Sequence, residues 1–243
     1  MIIGLIPSRL NSTRLHQKPL MEIDGLPLIV HTVKRSQLAE CVDRVIVCTD
    51  SKEIMKVVKK HGGEAILTRK VHKNGTERIA EVAKKFRASL IVDIQGDEPL
   101  IDPKDIDSVV KFHKKNKQFE IVVPSLPSLR SGSKHSVKMV FNKRGKVMYL
   151  SRAELPFSFK KNPSFYSKHL SIISFKPKAL KKFSTLPQGR LESIEGIELL
   201  RALEHDISVG TFTILGNSFS VDVKEDLTRA KTIMPIDPIR QLY

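Results

Sequence analysis

Short apolar runs and amphipathic stretches alternate through the first half of the chain, and that order limits the fold more than any other feature. Ile2 to Ile6 reads as a buried strand. Leu28 to Leu38 carries apolar residues at helical spacing, Arg44 to Cys48 is a strand rich in Val and Ile, and Lys52 to His61 is an amphipathic helix. Gly62 and Gly63 end that helix, because glycine accepts the left-handed conformation beyond a last turn. Glu64 to Leu67 is the next strand, Thr76 to Phe86 a helix with Thr76 as the expected N-cap, and Leu90 to Ile94 a central strand. Asp102 and Pro103 open a further helix that runs to Lys115. The alternation predicts an α/β fold with a mostly parallel sheet flanked by helices.

The second half has a different texture. Ile121–Val123, Lys138–Phe141, Val147–Tyr149 and Leu170–Phe175 are strand candidates, and Asn142-Lys143-Arg144-Gly145 reads as a hairpin turn. Lys160 to Ser164 is polar and breaker-rich, as an exposed loop is. Leu191 to Glu204 is expected to be one helix, Ser208 to Leu215 a strand and Lys224 to Ile233 a terminal helix. There is no internal repeat. The 243 residues are expected to form one domain, 1–243, with an inserted β region at about 134–176 that offers a dimerisation element.

Composition narrows the function. Hydrophobic residues make up 40% of the chain, which is enough for a core and too much for disorder. No apolar run is long enough to span a membrane, and the apolar start lacks the basic flank of a signal peptide. Cys41 and Cys48 lie in apolar surroundings without metal-ligand spacing, which fits reduced thiols in the cytoplasm. The formal charge of +16 invites a polyanion. However, the lysines fall in scattered pairs late in expected helices, and with no Trp and three Tyr a base-stacking platform is poorly supplied. Anionic small substrates explain part of the charge, and no nucleic-acid or membrane partner is expected.

The segment Ile6 to Leu20 follows the first strand directly, at the end where parallel sheets bind ligands. It supplies Ser8, Ser12 and Thr13 with the cations Arg9, Arg14 and Lys18, a set that can wrap a triphosphate and neutralise a leaving group. The glycines of a Walker loop are missing, and a solvated basic loop would look the same. This segment, together with His72-Lys73-Asn74-Gly75-Thr76-Glu77-Arg78, Val92 to Pro99, Leu150-Ser151-Arg152-Ala153 and Leu191 to Glu195, resembles the sugar-activating nucleotidyltransferases. It is most similar to the cytidylyltransferases for 3-deoxy-manno-octulosonate (Kdo). The matches run in order over nearly the whole chain. The resemblance implies a Rossmann-like sheet of the nucleotide-diphospho-sugar transferase type. It also implies transfer of CMP from CTP to a Kdo-like acid with release of pyrophosphate, for lipopolysaccharide or surface polysaccharide synthesis, and a homodimer.

Asp97 stands just after the Leu90–Ile94 strand, behind Gly96, where a carboxylate can hold Mg²⁺ on a triphosphate or simply cap the next helix. The resemblance adds Asp222 as a second metal ligand, although Val223-Lys224 replaces the usual Thr-Pro. Asp226 is expected in the first turn of the last helix. By the same resemblance Lys18, Asp97 and Asp222 are catalytic, with Mg²⁺ as cofactor. Ser8, Arg9, Arg14, Lys18, Arg78 and Gln95 meet the nucleotide, Gln95 at the cytosine edge.

The sugar acid falls to Arg152, His169, Glu192 and Glu195. An Arg can pair with the sugar carboxylate, and glutamates three apart share a helix face, which otherwise reads as a solvated one. Here the match thins. Ser171 to Lys176 replaces Gly-Ile-Tyr-Gly-Tyr-Arg, Leu199 stands where the family tends to carry Gln, and His16-Gln17 replaces Pro-Gly. Lost polar contacts change selectivity. An amino-deoxy acid such as 8-amino-Kdo, or another nonulosonic acid, is therefore an alternative acceptor. A non-enzymatic polyanion-binding protein is the alternative from another class.

Overall fold

A computed structural model describes residues 1–10, 15–128, 136–160, 164–216 and 218–243. By internal contacts the chain forms two compact units: Met1–Ser108 with Asn217–Tyr243, and Val109–Gly216. The expected β region at 134–176 falls inside the second unit.

The first unit is built on four parallel strands. β1 (Ile2–Ser8) is fully buried, as its apolar run Ile2 to Pro7 requires. The hairpin β2 (Glu22–Ile23) and β3 (Leu26–Pro27) leads into α1 (Leu28–Gln37). β4 (Arg44–Thr49), α2 (Lys52–Lys60), β5 (Glu64–Leu67), α3 (Gly75–Ala83) and β6 (Leu90–Ile94) follow. β1 pairs in parallel with β4 and β6, and β4 with β5, so the strand order is β5-β4-β1-β6. The C-terminal ends of β1 and β6, and the loops beyond them, therefore lie together. Glycine is required there, because a Cβ on Gly96 would stand 2.9 Å from the carbonyl oxygen of Pro7. The α/β reading holds.

One local expectation changes and another holds. Asn74, not Thr76, caps α3: its Oδ1 accepts the Glu77 N–H at 2.8 Å, and Thr76 lies inside the first turn. Both residue types cap well, and Asn74 wins because the helix starts at Gly75. α2 ends as expected, with Gly62 at φ +76°.

α4 (Pro103–Lys115) carries the chain from the first unit into the second. Asp105 in its first turn is buried, and its Oδ2 has no hydrogen-bond partner among the described residues. Burial, and then the neighbouring charge of Asp102, push its pKa from 3.8 up to about 6. A raised carboxyl pKa adds stability at low pH, and that stability is lost as pH rises through about 6. Asp105→Asn should therefore stabilise the protein at pH 8 by about 1–3 kcal/mol and have little effect near pH 4. Urea melts at the two pH values measure this. An equal effect at both would contradict it.

In the second unit β7 (Ile121–Ser128) is the organising strand. β8 (Lys138–Phe141) and β9 (Val147–Ser151) form a hairpin turned at Gly145, φ +75°. β10 (Tyr166–His169) and β11 (Ile172–Phe175) pair antiparallel with β7, and β12 (Val209–Thr213) pairs with it in parallel. The strand expected from Leu170 starts two residues later, at Ile172: Leu170 and Ser171 lie between two strands that join different parts of β7. Buried Ser174 is satisfied by His113, whose ring also meets the Phe119 carbonyl. Burial, and then Lys176, lower the His113 pKa to about 4. The neutral ring therefore donates through Nε2 to Phe119 and accepts the Ser174 hydroxyl at Nδ1.

α5 (Pro177–Thr185) is followed by two short helices where one was expected, α6 (Arg190–Glu195) and α7 (Leu199–Glu204). Gly196 breaks the run: at φ +61° it closes α6, and its N–H bonds the Glu192 carbonyl at 2.8 Å. α8 (Lys224–Ile233) returns to the first unit.

Candidate active site

Three apolar anchors explain why residues far apart in sequence meet. Leu15, Leu100 and Val221 are buried in one core cluster with Ile23, Leu28, Ala230 and Met234. Each lies one turn or less from a polar residue: Lys18, Asp97 and Asp222 respectively. Burying side chains of this size contributes about 1.5–3 kcal/mol apiece. The cluster therefore holds the three loops together at modest cost from the polar groups they carry. A backbone bond from the Val221 N–H to the Asp97 carbonyl, 2.9 Å, fixes the two carboxylate-bearing segments side by side.

Lys18 leads a single 3-10 turn, Lys18–Leu20. Its Nζ donates to Asp97 Oδ2 at 2.7 Å and to Asp222 Oδ1 at 3.3 Å. One ammonium thus sits between two partly exposed carboxylates, each 27% accessible. Asp222 is steadied from behind: Asp226 Oδ2 accepts the N–H groups of Asp222 and Val223 at 2.9 and 3.0 Å while it caps α8. The sequence placed Asp226 in that turn but did not show that it holds Asp222.

Gln17, just before Lys18, adopts a left-handed conformation at φ 51°. This is one of the two positions where the sequence departs from Pro-Gly. Gln17→Gly removes the backbone strain and should raise stability by about 0.5–1 kcal/mol in chemical denaturation. A loss of stability would show that the Gln17 side chain makes a compensating contact.

At the ends of the strands, Ser8 is buried and Arg9 is exposed. Arg14, with Ser12 and Thr13, lies outside the described residues. Gln95 donates its amide to both oxygens of buried Asp93, 3.2 Å each. Arg78 is buried and engaged: it pairs with Asp50 at 2.8 Å and donates to the Thr68 hydroxyl. It ties the ends of β4 and β5 together.

The second unit holds the other expected residues. Arg152 donates through Nε and Nη2 to the carbonyls of Glu195 and Gly196, 2.7 and 3.1 Å, a cation placed at the C-terminal end of α6. The Glu195 carboxylate accepts the Arg152 N–H at 2.9 Å and the Ser151 hydroxyl, so it positions the end of β9. The Lys138 ammonium donates to the Arg152 carbonyl at 2.9 Å, a contact the sequence did not reveal. His169 is held neutral near pH 7, because burial and then Lys168 lower its pKa to about 4.

Glu192, expected beside Glu195 on one helix face for the sugar, does not lie on the solvated face that was the alternative. It is 4% accessible, and both its oxygens are bonded to Arg201, at 2.7 Å to Nε and 2.5 Å to Nη2. The physical reason is the break at Gly196, which turns α7 so that Arg201 can reach back to α6.

Among the described residues no group of three or more His, Cys, Asp or Glu is placed to hold a metal. Asp97 and Asp222 make a pair, and the shared ammonium shows that their oxygens can face one cation. That donor set suits Mg²⁺, which keeps waters and takes substrate phosphate oxygens beside one or two carboxylates.

A sequence profile of the family described as cytidylyltransferase matches residues 3–209. The 3-deoxy-manno-octulosonate cytidylyltransferase of Syntrophobacter fumaroxidans is 37% identical over 247 residues, covering 98% of this chain and 98% of its own. That of a Nitratiruptor species is 37% identical and covers 93% of this chain and 96% of its own. A solved CMP:2-keto-3-deoxy-manno-octonic acid synthetase, complexed with CTP, superposes with a TM-score of 0.92 at 30% identity, covering 97% of this chain and 98% of that one.

Proposed function

The chain belongs to the cytidylyltransferase family, and on that premise we infer that it activates Kdo, converting CTP and the sugar acid to CMP-Kdo and pyrophosphate. The product would serve lipopolysaccharide or surface polysaccharide synthesis. The observation that carries this reading is the Asp97–Lys18–Asp222 cluster beyond the strand ends, in a chain that superposes on a synthetase bound to CTP.

The reaction is an in-line displacement. The anomeric hydroxyl of the sugar attacks the α-phosphorus, a new O–P bond forms, and the bond to the pyrophosphate oxygen breaks. Positioning and charge stabilisation do most of the work. Asp97 and Asp222 would hold Mg²⁺, which when bound neutralises phosphate charge and lowers the pKa of a coordinated hydroxyl. Lys18, Arg9 and Arg14 neutralise the leaving pyrophosphate. Ser8 and Gln95 meet the nucleotide, and Arg78 orders the neighbouring loops through Asp50 and Thr68. On the sugar side, Arg152 takes the carboxylate and neutral His169 bonds a hydroxyl. Glu195 positions Arg152.

A second reading keeps the chemistry and changes the acid. Ile173 and Leu199 are buried apolar residues where the family resemblance implies polar ones, which supports a modified acceptor such as 8-amino-Kdo. Pyrophosphate release with a panel of acids separates the two. Preference for Kdo supports the first reading. Turnover of the amino form alone supports the second and overturns the first.

Assembly as a homodimer in the cytoplasm belongs to the same proposal. Among the described residues no helix is long and apolar enough to cross a membrane. Within the region at 134–176, Phe157 and Phe159 are 81% and 84% exposed, with Met148 and Phe165 also exposed. Large apolar side chains left exposed in one region of the sequence support an interaction surface there. Light scattering should give a dimer, and Phe157→Asp with Phe159→Asp should give a folded monomer. A wild-type monomer would contradict the assignment.

A further inference from the structure

We infer that buried Asp93 sets the base preference of the nucleotide site by fixing the amide of Gln95 with its carbonyl oxygen outward. The inference rests on the reading above, in which Gln95 meets the base. Asp93 is the one charge in the strand Leu90-Ile91-Val92-Asp93-Ile94, and it is 1% exposed. A carboxylate placed there disfavours the fold unless its oxygens are bonded. Gln95 stands two residues on, on the same face of the extended chain. Its Nε2 lies 3.2 Å from each Asp93 oxygen.

That contact settles which way the amide points. The NH₂ group is the donor that faces both Asp93 oxygens, and a flipped amide would set Oε1 against two acceptor oxygens. Oε1 is therefore turned away from Asp93 and offers an acceptor. Cytosine presents an amino donor at its C4 position, and uracil presents a carbonyl acceptor at the same place. An outward acceptor pairs with the first and repels the second. α3 begins beside this amide: a Cβ on Gly75 would lie 4.0 Å from Gln95 Nε2. Asp93 is thus a positioning residue that acts through Gln95.

The test is calorimetric titration of the full chain with CTP and with UTP, each with Mg²⁺, in wild type and in Asp93→Asn. An asparagine at 93 can donate as well as accept, so Gln95 is free to flip. The CTP-over-UTP preference should narrow about tenfold, chiefly because UTP binds better. A merely structural residue would weaken both nucleotides together, and that result, or an unchanged ratio, overturns the inference. If Asp93→Asn does not fold, Gln95→Leu replaces it, and retention of the wild-type ratio there has the same force. Wild type that binds CTP and UTP equally contradicts the role of Asp93 while leaving cytidylyl transfer standing. Wild type that binds neither contradicts the reading beneath it as well.

Discussion

Asp97→Asn should lower pyrophosphate release at least about a thousandfold while leaving the protein folded. The substitution keeps the shape of the side chain and removes its charge. Asp97 and Asp222 now share the Lys18 ammonium at 2.7 and 3.3 Å, and with one of the two neutral the pair can no longer face a divalent cation on a triphosphate. The backbone should not move, because the Asp97 carbonyl still accepts the Val221 N–H and Leu100 and Val221 remain in the core. A coupled pyrophosphate assay with a thermal melt measures both halves. Chelating Mg²⁺ should silence the wild type in the same assay. A protein that merely binds polyanions would behave otherwise: losing an acidic residue would leave binding intact or strengthen it.

Glu192→Ala should cost about 3–5 kcal/mol of stability. Its carboxylate and the Arg201 guanidinium are each 5% accessible and doubly bonded. Truncation leaves a buried guanidinium, packed 5.0 Å over the Phe183 ring, without its counter-charge. It also removes the acceptor for the Gly189 N–H at the start of α6. Replacing both residues by methionine should cost less than Glu192→Ala alone, because no charge is then stranded. Urea denaturation of the single and double variants decides this. A variant with unchanged stability and a raised KM for the sugar acid would return Glu192 to the ligand-binding role that its sequence position suggested.

These two residues mark what sequence reading reaches and where it stops. Asp97 was readable because it follows a central strand at the end where parallel sheets bind ligands, and the glycine before it lets the backbone approach closely, whereas the pairing of β6 with β1 came only from the structure. Lys18 and Asp222 were readable only by resemblance. Nothing in their spacing tells that Leu15 and Val221 belong to one core cluster, which is what joins their loops. The pairing of Glu192 with Arg201 was not legible because helical periodicity runs through Gly196, whereas one left-handed residue turns the following helix and brings Arg201 back. Asp93 left a signal that went unread: a lone charge inside an apolar strand must be bonded to something, and Gln95 was the nearest candidate. Arg78 matched a motif, yet the motif does not reveal that Asp50 and Thr68 occupy it.

The most direct test of the account is to incubate the wild-type protein with Mg²⁺, CTP and Kdo and to quantify pyrophosphate together with the sugar nucleotide. The account predicts CMP-Kdo and pyrophosphate in equal amounts, with ATP, GTP and UTP giving little. CTP consumption without a sugar nucleotide, or no turnover by a folded protein that binds CTP, would contradict it.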